Sequence, residues 1–349
     1  MINTKEYSAN VSYFAAANGY SGFRSLFGEV FDSRAMSKIY VLKGGPGTGK
    51  STILKGLLVH SEERGYFREA IYCSSDPRSL DGVIISSPRG RIAVLDGTAP
   101  HERDAVIPGA VDEIINLGEG FDLAALTARR DEIIELTEKK KSAYSRAYSH
   151  LEAAGAIWRD ITKYYENIGY YYAAELRTKE LVAEQDEAYS PHCKRLYTSA
   201  FGSGGYVAQN PYLPKEKELV AIDADRATGR IIMMLLYRHL DKIGAIQELH
   251  LSPFSDSIPE RIITDKRIFE CHPIMRADAA KADAVECDKT IAELFKIHDK
   301  LLHLSKGEFG IAAEQHFKLE DIYKCAVDFT FNDDIFKRLT KSVDRILAH

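Results

Sequence analysis

One short segment, residues 38–58, restricts the possible folds of this chain more than any other. It begins with a run of four apolar residues, continues through glycines and a lysine, and returns to apolar residues. Gly44, four further residues, Gly49, Lys50 and Ser51 satisfy the spacing G-x-x-x-x-G-K-[ST]. This order predicts a buried strand, a glycine-rich loop and a helix, the context in which the spacing indicates a phosphate-binding loop.

The residue types in this loop fit the binding of ATP with Mg²⁺. Glycines let the backbone N–H groups turn towards phosphate oxygens, and the amino end of the following helix adds partial positive charge. Lys50 is expected to reach the β- and γ-phosphates, and the Ser51 hydroxyl is expected to ligate Mg²⁺. The predicted nucleotide-binding residues are Gly44, Gly45, Pro46, Gly47, Thr48, Gly49, Lys50, Ser51 and Thr52.

A carboxylate that would complete the metal site follows at a second apolar run. Residues 91–96, RIAVLD, are mostly apolar and end in an acid, which is the form of a Walker B strand. Asp96 is therefore predicted to help position Mg²⁺. The alternative is an aspartate that ends a strand before the Gly97 turn. Because Gly97 stands where many ATPases carry a glutamate, position alone identifies no water-activating residue.

Four further polar residues are candidates for catalysis. Asp76 and Asp81 follow a predicted second strand, where they can position a water, an acceptor or a switch loop. His101 and Glu102 follow the Walker B segment within loop reach, where either can act as a base. The alternatives are an Asp-Pro turn at Asp76 and an exposed polar loop at His101 and Glu102.

Basic residues in the helical segment after residue 121 are also candidates. Residues 129–130 and 139–141 can supply charge-stabilising groups in phosphoryl transfer. The alternative is a solvated helix face.

The second half of the chain resembles the first in order. Phe14 and Tyr197 match at an offset of 183 residues, Lys50 and Arg230 at 180, and later landmarks at 178 and 176. A slowly shrinking offset across several landmarks predicts a tandem duplication.

The second copy lacks the chemistry of the first. Arg230 replaces the loop lysine, Ile231 replaces the hydroxyl, and His272 replaces the Walker B acid. Asp223 and Asp225 would repel phosphate. We expect this copy to have a structural or regulatory role and no nucleotide.

Each copy continues into a long segment with apolar residues at every third or fourth position, which predicts a helical hairpin. Trp158 and Phe317 match at an offset of 159, so the second copy is about 17 residues shorter near the counterpart of residues 108–121. Each hairpin is expected to pack on its own lobe or on the other.

The predicted fold is α/β, with P-loop NTPase-like, mainly parallel sheets in two tandem lobes. The first domain is assigned to residues 1–193, with its hairpin at about 121–189. The second, degenerate domain is assigned to residues 194–349, with its hairpin at about 279–349.

Composition and charge exclude several classes of protein. A net charge of −5 excludes a globally basic nucleic-acid binder, so nucleic acid is an unlikely partner. The longest apolar stretch, 231–237, is much shorter than a membrane span, and the amino terminus lacks a secretory pattern. Five widely spaced cysteines fit a reducing compartment. The sequence therefore predicts a cytoplasmic protein that does not engage a membrane.

Four motifs together resemble a family of uncharacterised bacterial P-loop ATPases built as tandem repeats. They are VLKGGPGTGKST (41–52), CSSDPRSLDGVII (73–85), LDGTAPH (95–101) and PGAVDEIINLG (108–118). The resemblance implies a P-loop fold and ATP binding, and it implies no substrate. Members of the family generally carry two P-loops, whereas the second loop of this chain is degraded.

Three functions remain open at this point. The first is an Mg²⁺-dependent ATPase whose hydrolysis moves a lobe or hairpin. The second is a small-molecule or nucleotide kinase, which the short distance of 46 residues between Lys50 and Asp96 suits. The third is a non-catalytic nucleotide-sensing scaffold that a protein partner reads.

Overall fold

The computed structural model describes most of the chain. The described residues are 2, 7–100, 102–167, 170–183, 189–190, 192–209, 211, 213–224, 226–255, 258–271 and 289–348. His101, Asp225 and His272 lie outside them.

Groups of strands are separated by helices in the described residues between 11 and 271, and two long helices are described from residue 289 onwards. The strands are β1 (Val11–Phe14), β2 (Ala16–Gly19), β3 (Gly22–Ser25), β4 (Lys38–Lys43), β5 (Phe67–Tyr72), β6 (Leu80–Ser87), β7 (Gly90–Asp96), β8 (Asp112–Asn116), β9 (Lys194–Tyr197), β10 (Ser199–Gly202), β11 (Gly205–Ala208), β12 (Glu218–Ala221), β13 (Glu248–Leu251), β14 (Pro259–Ile263) and β15 (Arg267–Glu270). The α-helices are α1 (Phe27–Val30), α2 (Lys50–Glu63), α3 (Leu123–Ala128), α4 (Arg130–Asn167), α5 (Tyr170–Val182), α6 (Arg226–Lys242), α7 (Lys289–Lys324) and α8 (Phe329–Leu347). Short 3-10 helices lie at Ser33–Ala35 and Leu117–Gly120.

The fold is α/β and is built on one sheet of eleven strands. The strand order is β12-β15-β14-β13-β9-β1-β5-β6-β7-β4-β8, and β2-β3 and β10-β11 form separate hairpins. We call β1, β5, β6, β7, β4 and β8 the first half-sheet, and β9, β13, β14, β15 and β12 the second half-sheet. The two half-sheets join where β1 and β9 pair through Phe14 and Tyr197.

The sheet is mixed, which differs from the predicted mainly parallel sheets. Five neighbouring pairs are parallel and five are antiparallel. Pro88 and Arg89 alone connect β6 to β7, and residues 73–79 connect β5 to β6. A parallel pair needs a crossover of about a dozen residues or more, so these short connections require antiparallel pairing.

The arrangement of elements agrees with an internal duplication. From the central junction outwards, β1-β5-β6-β7-β4 and β9-β13-β14-β15-β12 follow the same order. In both halves of the chain two helices follow the strands, α4 and α5 in the first and α7 and α8 in the second.

The shortened region of the second copy coincides with the outer strand of the first half-sheet. Strand β8 extends that half-sheet beyond β4. Within the described part of the chain, the second half-sheet ends at β12 and has no equivalent of β8. Residues 272–288, which would follow β15, lie outside the description.

The second helix of each hairpin covers the opposite half-sheet. Residues of α8, including Leu339 and Val343, are buried with α2 and the first half-sheet. Residues of α5, including Ala174, are buried with α6 and the second half-sheet. The first helices, α4 and α7, lie antiparallel, because Trp158 contacts Phe295 near the start of α7 whereas Leu136 clusters with the end of α7. The two hairpins therefore connect the halves, while the domain boundary at residue 193 stays a prediction.

None of the helices described is both long enough and apolar enough to cross a membrane.

Candidate functional site

The glycine loop (residues 44–49) connects β4, which lies between β7 and β8, to α2, as the sequence predicts. The interior of β4, from Ile39 to Leu42, is fully buried, because strands flank it on both sides and helices cover the sheet. Gly47 and Gly49 have φ values of +68° and +84°, a backbone conformation that residues with a Cβ rarely adopt. Helix α2 begins directly afterwards at Lys50, so its first N–H groups lie at the loop.

The side chain of Lys50 folds over this loop. Its ammonium group donates to the carbonyl oxygens of Gly44 at 2.9 Å and Gly45 at 2.8 Å. It also lies 3.7 Å from Oδ2 of Asp96. Strand register brings the two side chains together, since β4 and β7 are parallel neighbours and Leu42 pairs with Asp96.

Asp96 lies in a partly desolvated position. Oδ1 accepts hydrogen bonds from the backbone N–H of Thr98 at 2.9 Å and from its hydroxyl at 2.5 Å. Burial raises the pKa of the Asp96 carboxyl, and Lys50 opposes that shift. Asp81 is buried nearby and raises the pKa further. The carboxyl edge of the sheet therefore holds two acids and one lysine in close proximity.

The other predicted loop residues are placed as follows. The Ser51 hydroxyl accepts from the N–H of Leu80 at 3.2 Å, and the Thr48 hydroxyl donates to the carbonyl oxygen of Gly45 at 2.8 Å. Pro46 is partly exposed in the loop, and Thr52 is exposed on α2.

The remaining catalytic candidates are less engaged with the loop. Asp76 forms an ion pair with Arg78 at 2.8 Å and accepts from its backbone N–H, which is the turn structure that the sequence left as the alternative. Glu102 is exposed on the segment after β7. His101 lies outside the described residues, so its role stays a prediction.

Among the basic candidates, Lys140 alone is singled out by its surroundings. Arg129 pairs with Glu132, and Lys139 pairs with Glu135, as expected for a solvated helix face. Lys140 is half-buried, and its pKa is lowered first by burial and then by the charge of Lys50.

A contact that the sequence does not predict covers one side of the glycine loop. We call residues 319–332, where α7 ends and α8 begins, the α7–α8 corner. A Cβ at Gly45 would stand 2.9 Å from the ring of Tyr323, and one at Gly47 would stand 2.5 Å from the carbonyl oxygen of Glu320. The amide of Asn332 donates to the carbonyl oxygen of Thr48 at 2.8 Å. No local sequence pattern predicts this contact, because its partners are more than 270 residues apart in the sequence.

The equivalent loop of the second half, around residues 222–229, has a different polar environment. The guanidinium of Arg230 is buried, lies 5.1 Å from the ring centre of Trp158, and donates to the carbonyl oxygen of Phe254. Burial lowers its pKa. Arg226 pairs with Asp299 at 3.2 Å. Both cations at this loop, Arg226 and Arg230, are therefore in contact with other side chains of the protein.

No cluster of three or more His, Cys, Asp or Glu side chains suited to a metal occurs in the part of the chain that the structure describes. Ser51 and Asp96, a hydroxyl and one carboxylate, are the oxygen donors that the sequence assigned to Mg²⁺. Such a set leaves most of the coordination to water and phosphate, which is how Mg²⁺ is commonly held beside nucleotides.

Comparison with known proteins places the chain in no group: no family model, no curated protein and no solved structure matches it.

Proposed function

We propose that this protein binds ATP with Mg²⁺ at the glycine loop and hydrolyses it, as a P-loop NTPase-like chain of two tandem lobes with an inactive second lobe. The observation that carries the proposal is the position of Lys50. Its ammonium lies in the curve of the glycine loop, at the start of α2, and 3.7 Å from Asp96.

The residues present fit a nucleoside triphosphate. Lys50 can exchange its bonds to the carbonyl oxygens of Gly44 and Gly45 for stronger, charge-assisted bonds to phosphate. The N–H groups of the loop and of the first turn of α2 donate to the same anion. Ser51 and Asp96 would hold Mg²⁺, which supplies charge neutralisation at the phosphate oxygens when bound.

The proposal extends to partners and location. Among the residues described, Cys73, Cys193, Cys271 and Cys325 form no disulfide, which fits the expected cytoplasmic location. The expected partners are the nucleotide and a small molecule or protein that the chain does not identify.

One observation favours the nucleotide-sensing scaffold as a second candidate. The α7–α8 corner contacts the glycine loop through Tyr323, Glu320 and Asn332. A change in the loop on binding phosphate would act directly on these helices, which belong to the opposite end of the chain. Such a contact suits a protein whose nucleotide state is read through its hairpins.

The test compares Lys50→Ala with Arg230→Ala, the equivalent change at the second loop. Titration calorimetry with Mg²⁺-ATP should show binding by the unaltered protein and by Arg230→Ala. Lys50→Ala should lose binding, because the substitution removes the ammonium group that lies in the curve of the glycine loop. Equal affinity of Lys50→Ala and the unaltered protein would contradict the proposed site.

Turnover assays then separate the functions. Lys50-dependent release of free phosphate indicates an ATPase. ADP formed only when a metabolite extract is added, with phosphate recovered on a small molecule, indicates a kinase. Binding without turnover under both conditions indicates the sensing scaffold.

A further inference from the structure

Helix α4 presents one face to the surroundings of the glycine loop. Leu136 packs with Leu319 and Ile322 of the α7–α8 corner. Two turns later, the hydroxyl group of Tyr144 lies close to Ser75, in the segment that follows β5. Residues four apart lie on the same face of a helix, so Lys140 lies between these two contacts.

The ammonium group of Lys140 has an unusual environment at this position. The side chain is half-buried, and Lys50 is close enough for its charge to act on it. Across the described residues, no carboxylate lies within 4.0 Å of this ammonium, whereas the adjacent Lys139 is paired with Glu135 at 2.5 Å. Placing a partly desolvated cation beside a second cation costs free energy unless an anion binds between them.

The second half of the molecule shows what happens at the equivalent position. With the offset of 159 that the sequence predicts from Trp158 and Phe317, Lys140 corresponds to Asp299 on α7. Asp299 pairs with Arg226 at 3.2 Å, at the start of α6 beside the second loop. At the second loop, the carboxylate of Asp299 therefore balances the charge of Arg226. Beside the glycine loop, the corresponding position on α4 is Lys140, which is itself a cation.

We infer that Lys140 is a ligand of the terminal phosphate of a nucleoside triphosphate bound at the glycine loop. This inference rests on the proposed function, because it requires the phosphates to lie along that loop. Lys50 and Lys140 approach the anion from different elements, one from the start of α2 and one from α4. The γ-phosphate therefore connects the loop to α4, and through α4 to the second half of the molecule.

The experiment compares affinities for a non-hydrolysable ATP analogue and for ADP, both with Mg²⁺, by titration calorimetry. Lys140→Met should weaken binding of the analogue roughly tenfold or more and leave ADP binding within about threefold, because only the longer nucleotide carries the phosphate that Lys140 contacts. Lys140→Arg keeps the charge and should retain most of the affinity. Lys141→Met, at the exposed neighbouring position, is the matched control and should bind both nucleotides as the unaltered protein does.

A loss of affinity that is equal for the two nucleotides, or no loss for either, would overturn the inference. Failure of the unaltered protein to bind either nucleotide would instead reject the proposed function itself. Thermal unfolding without nucleotide provides the check on folding. Lys140→Met should unfold at the same temperature as the unaltered protein or higher, since it removes an unpaired, half-buried cation beside Lys50. A lower midpoint in both Lys140→Met and Lys140→Arg would assign the lysine a structural role and reject the inference.

Discussion

Single residues at the glycine loop and in the second half of the molecule show how burial and pairing change the protonation of a side chain. Lys50 and Asp96 lie 3.7 Å apart, so each offsets part of the cost of burying the other. Arg230 is buried against Trp158, and burial lowers its pKa. Glu260, half-buried in the second half, accepts from the hydroxyl group of Ser199 at 2.7 Å. In the second half, Glu260 is thus hydrogen-bonded to a hydroxyl group, and Arg230 donates to the backbone carbonyl oxygen of Phe254.

The carboxyl of Glu260 provides a test of this internal network. Burial raises its pKa to about 7, while the hydroxyl of Ser199 opposes the shift. Because the folded state holds the proton more tightly than the unfolded chain does, the stabilisation from Glu260 is fully present below about pH 4.5 and is lost as the pH rises through about 7. Glu260→Gln should therefore raise the free energy of unfolding, relative to the unaltered protein, by roughly 2 kcal/mol more at pH 8 than at pH 5.

Urea titrations of both proteins at the two pH values measure this difference. An unchanged difference between pH 5 and pH 8 would show that Glu260 is already ionised in the folded protein at the lower pH.

At the scale of elements, the glycines of the loop serve two purposes. Positive φ values at Gly47 and Gly49 form the curve that precedes α2. The missing Cβ atoms at Gly45 and Gly47 also allow the α7–α8 corner to approach the loop. The motif alone explains the first purpose. The second follows only from the packing of helices that arrive from the far end of the chain.

Gly47→Ala should separate these two effects when it is compared with Gly109→Ala. Both glycines have positive φ, +68° and +75°, so both substitutions strain the backbone. A Cβ at Gly109 meets nothing within 4 Å, whereas one at Gly47 would stand 2.5 Å from the carbonyl oxygen of Glu320. We expect Gly109→Ala to lower the free energy of unfolding by about 1 kcal/mol and Gly47→Ala to lower it by about 2–4 kcal/mol.

Denaturant unfolding of the two variants gives these values directly. Similar losses for Gly47→Ala and Gly109→Ala would mean that the α7–α8 corner does not press on the loop in solution.

At the scale of the whole molecule, the two halves are joined by more than the chain. Strand β1 pairs with β9, and the amide of Asn18 donates to the carbonyl oxygen of Phe201, its counterpart at the offset of 183. Helix α8 completes the core of the first half-sheet, and α5 completes that of the second. The apolar faces of α5 and α8 are therefore buried only when the two halves of the chain pack together.

This exchange of helices predicts a single unfolding transition. Trp158, the only tryptophan, belongs to the core of the second half-sheet, so its fluorescence reports on that half. Circular dichroism in the far ultraviolet reports on helices of the whole chain. The two signals should change with the same denaturant midpoint, because loss of either core releases a helix that the other needs. Separate midpoints would show that the halves are independent domains.

Prediction from sequence succeeded where the chemistry is local. The strand before the loop, the positions of Gly47 and Gly49 and the start of α2 at Lys50 all follow from residues within one short segment. The tandem duplication stays a prediction, which the matching strand order of the two half-sheets supports. The sheet is mixed, whereas parallel sheets are expected from the apolar runs. The difference arises because Pro88 and Arg89 form a two-residue turn that makes β6 and β7 an antiparallel hairpin.

The sequence by itself determined the glycine loop between a strand and a helix, and the neighbouring strand that ends in Asp96. These depend on backbone preferences and apolar patterns that act over a few residues to a few tens of residues. Only the tertiary structure decided that Asn332 and Tyr323 contact the loop, that Asp299 pairs with Arg226, and that α5 and α8 cover the half-sheets of the opposite halves. Those outcomes depend on which apolar faces meet across the molecule, and no local pattern specifies that choice.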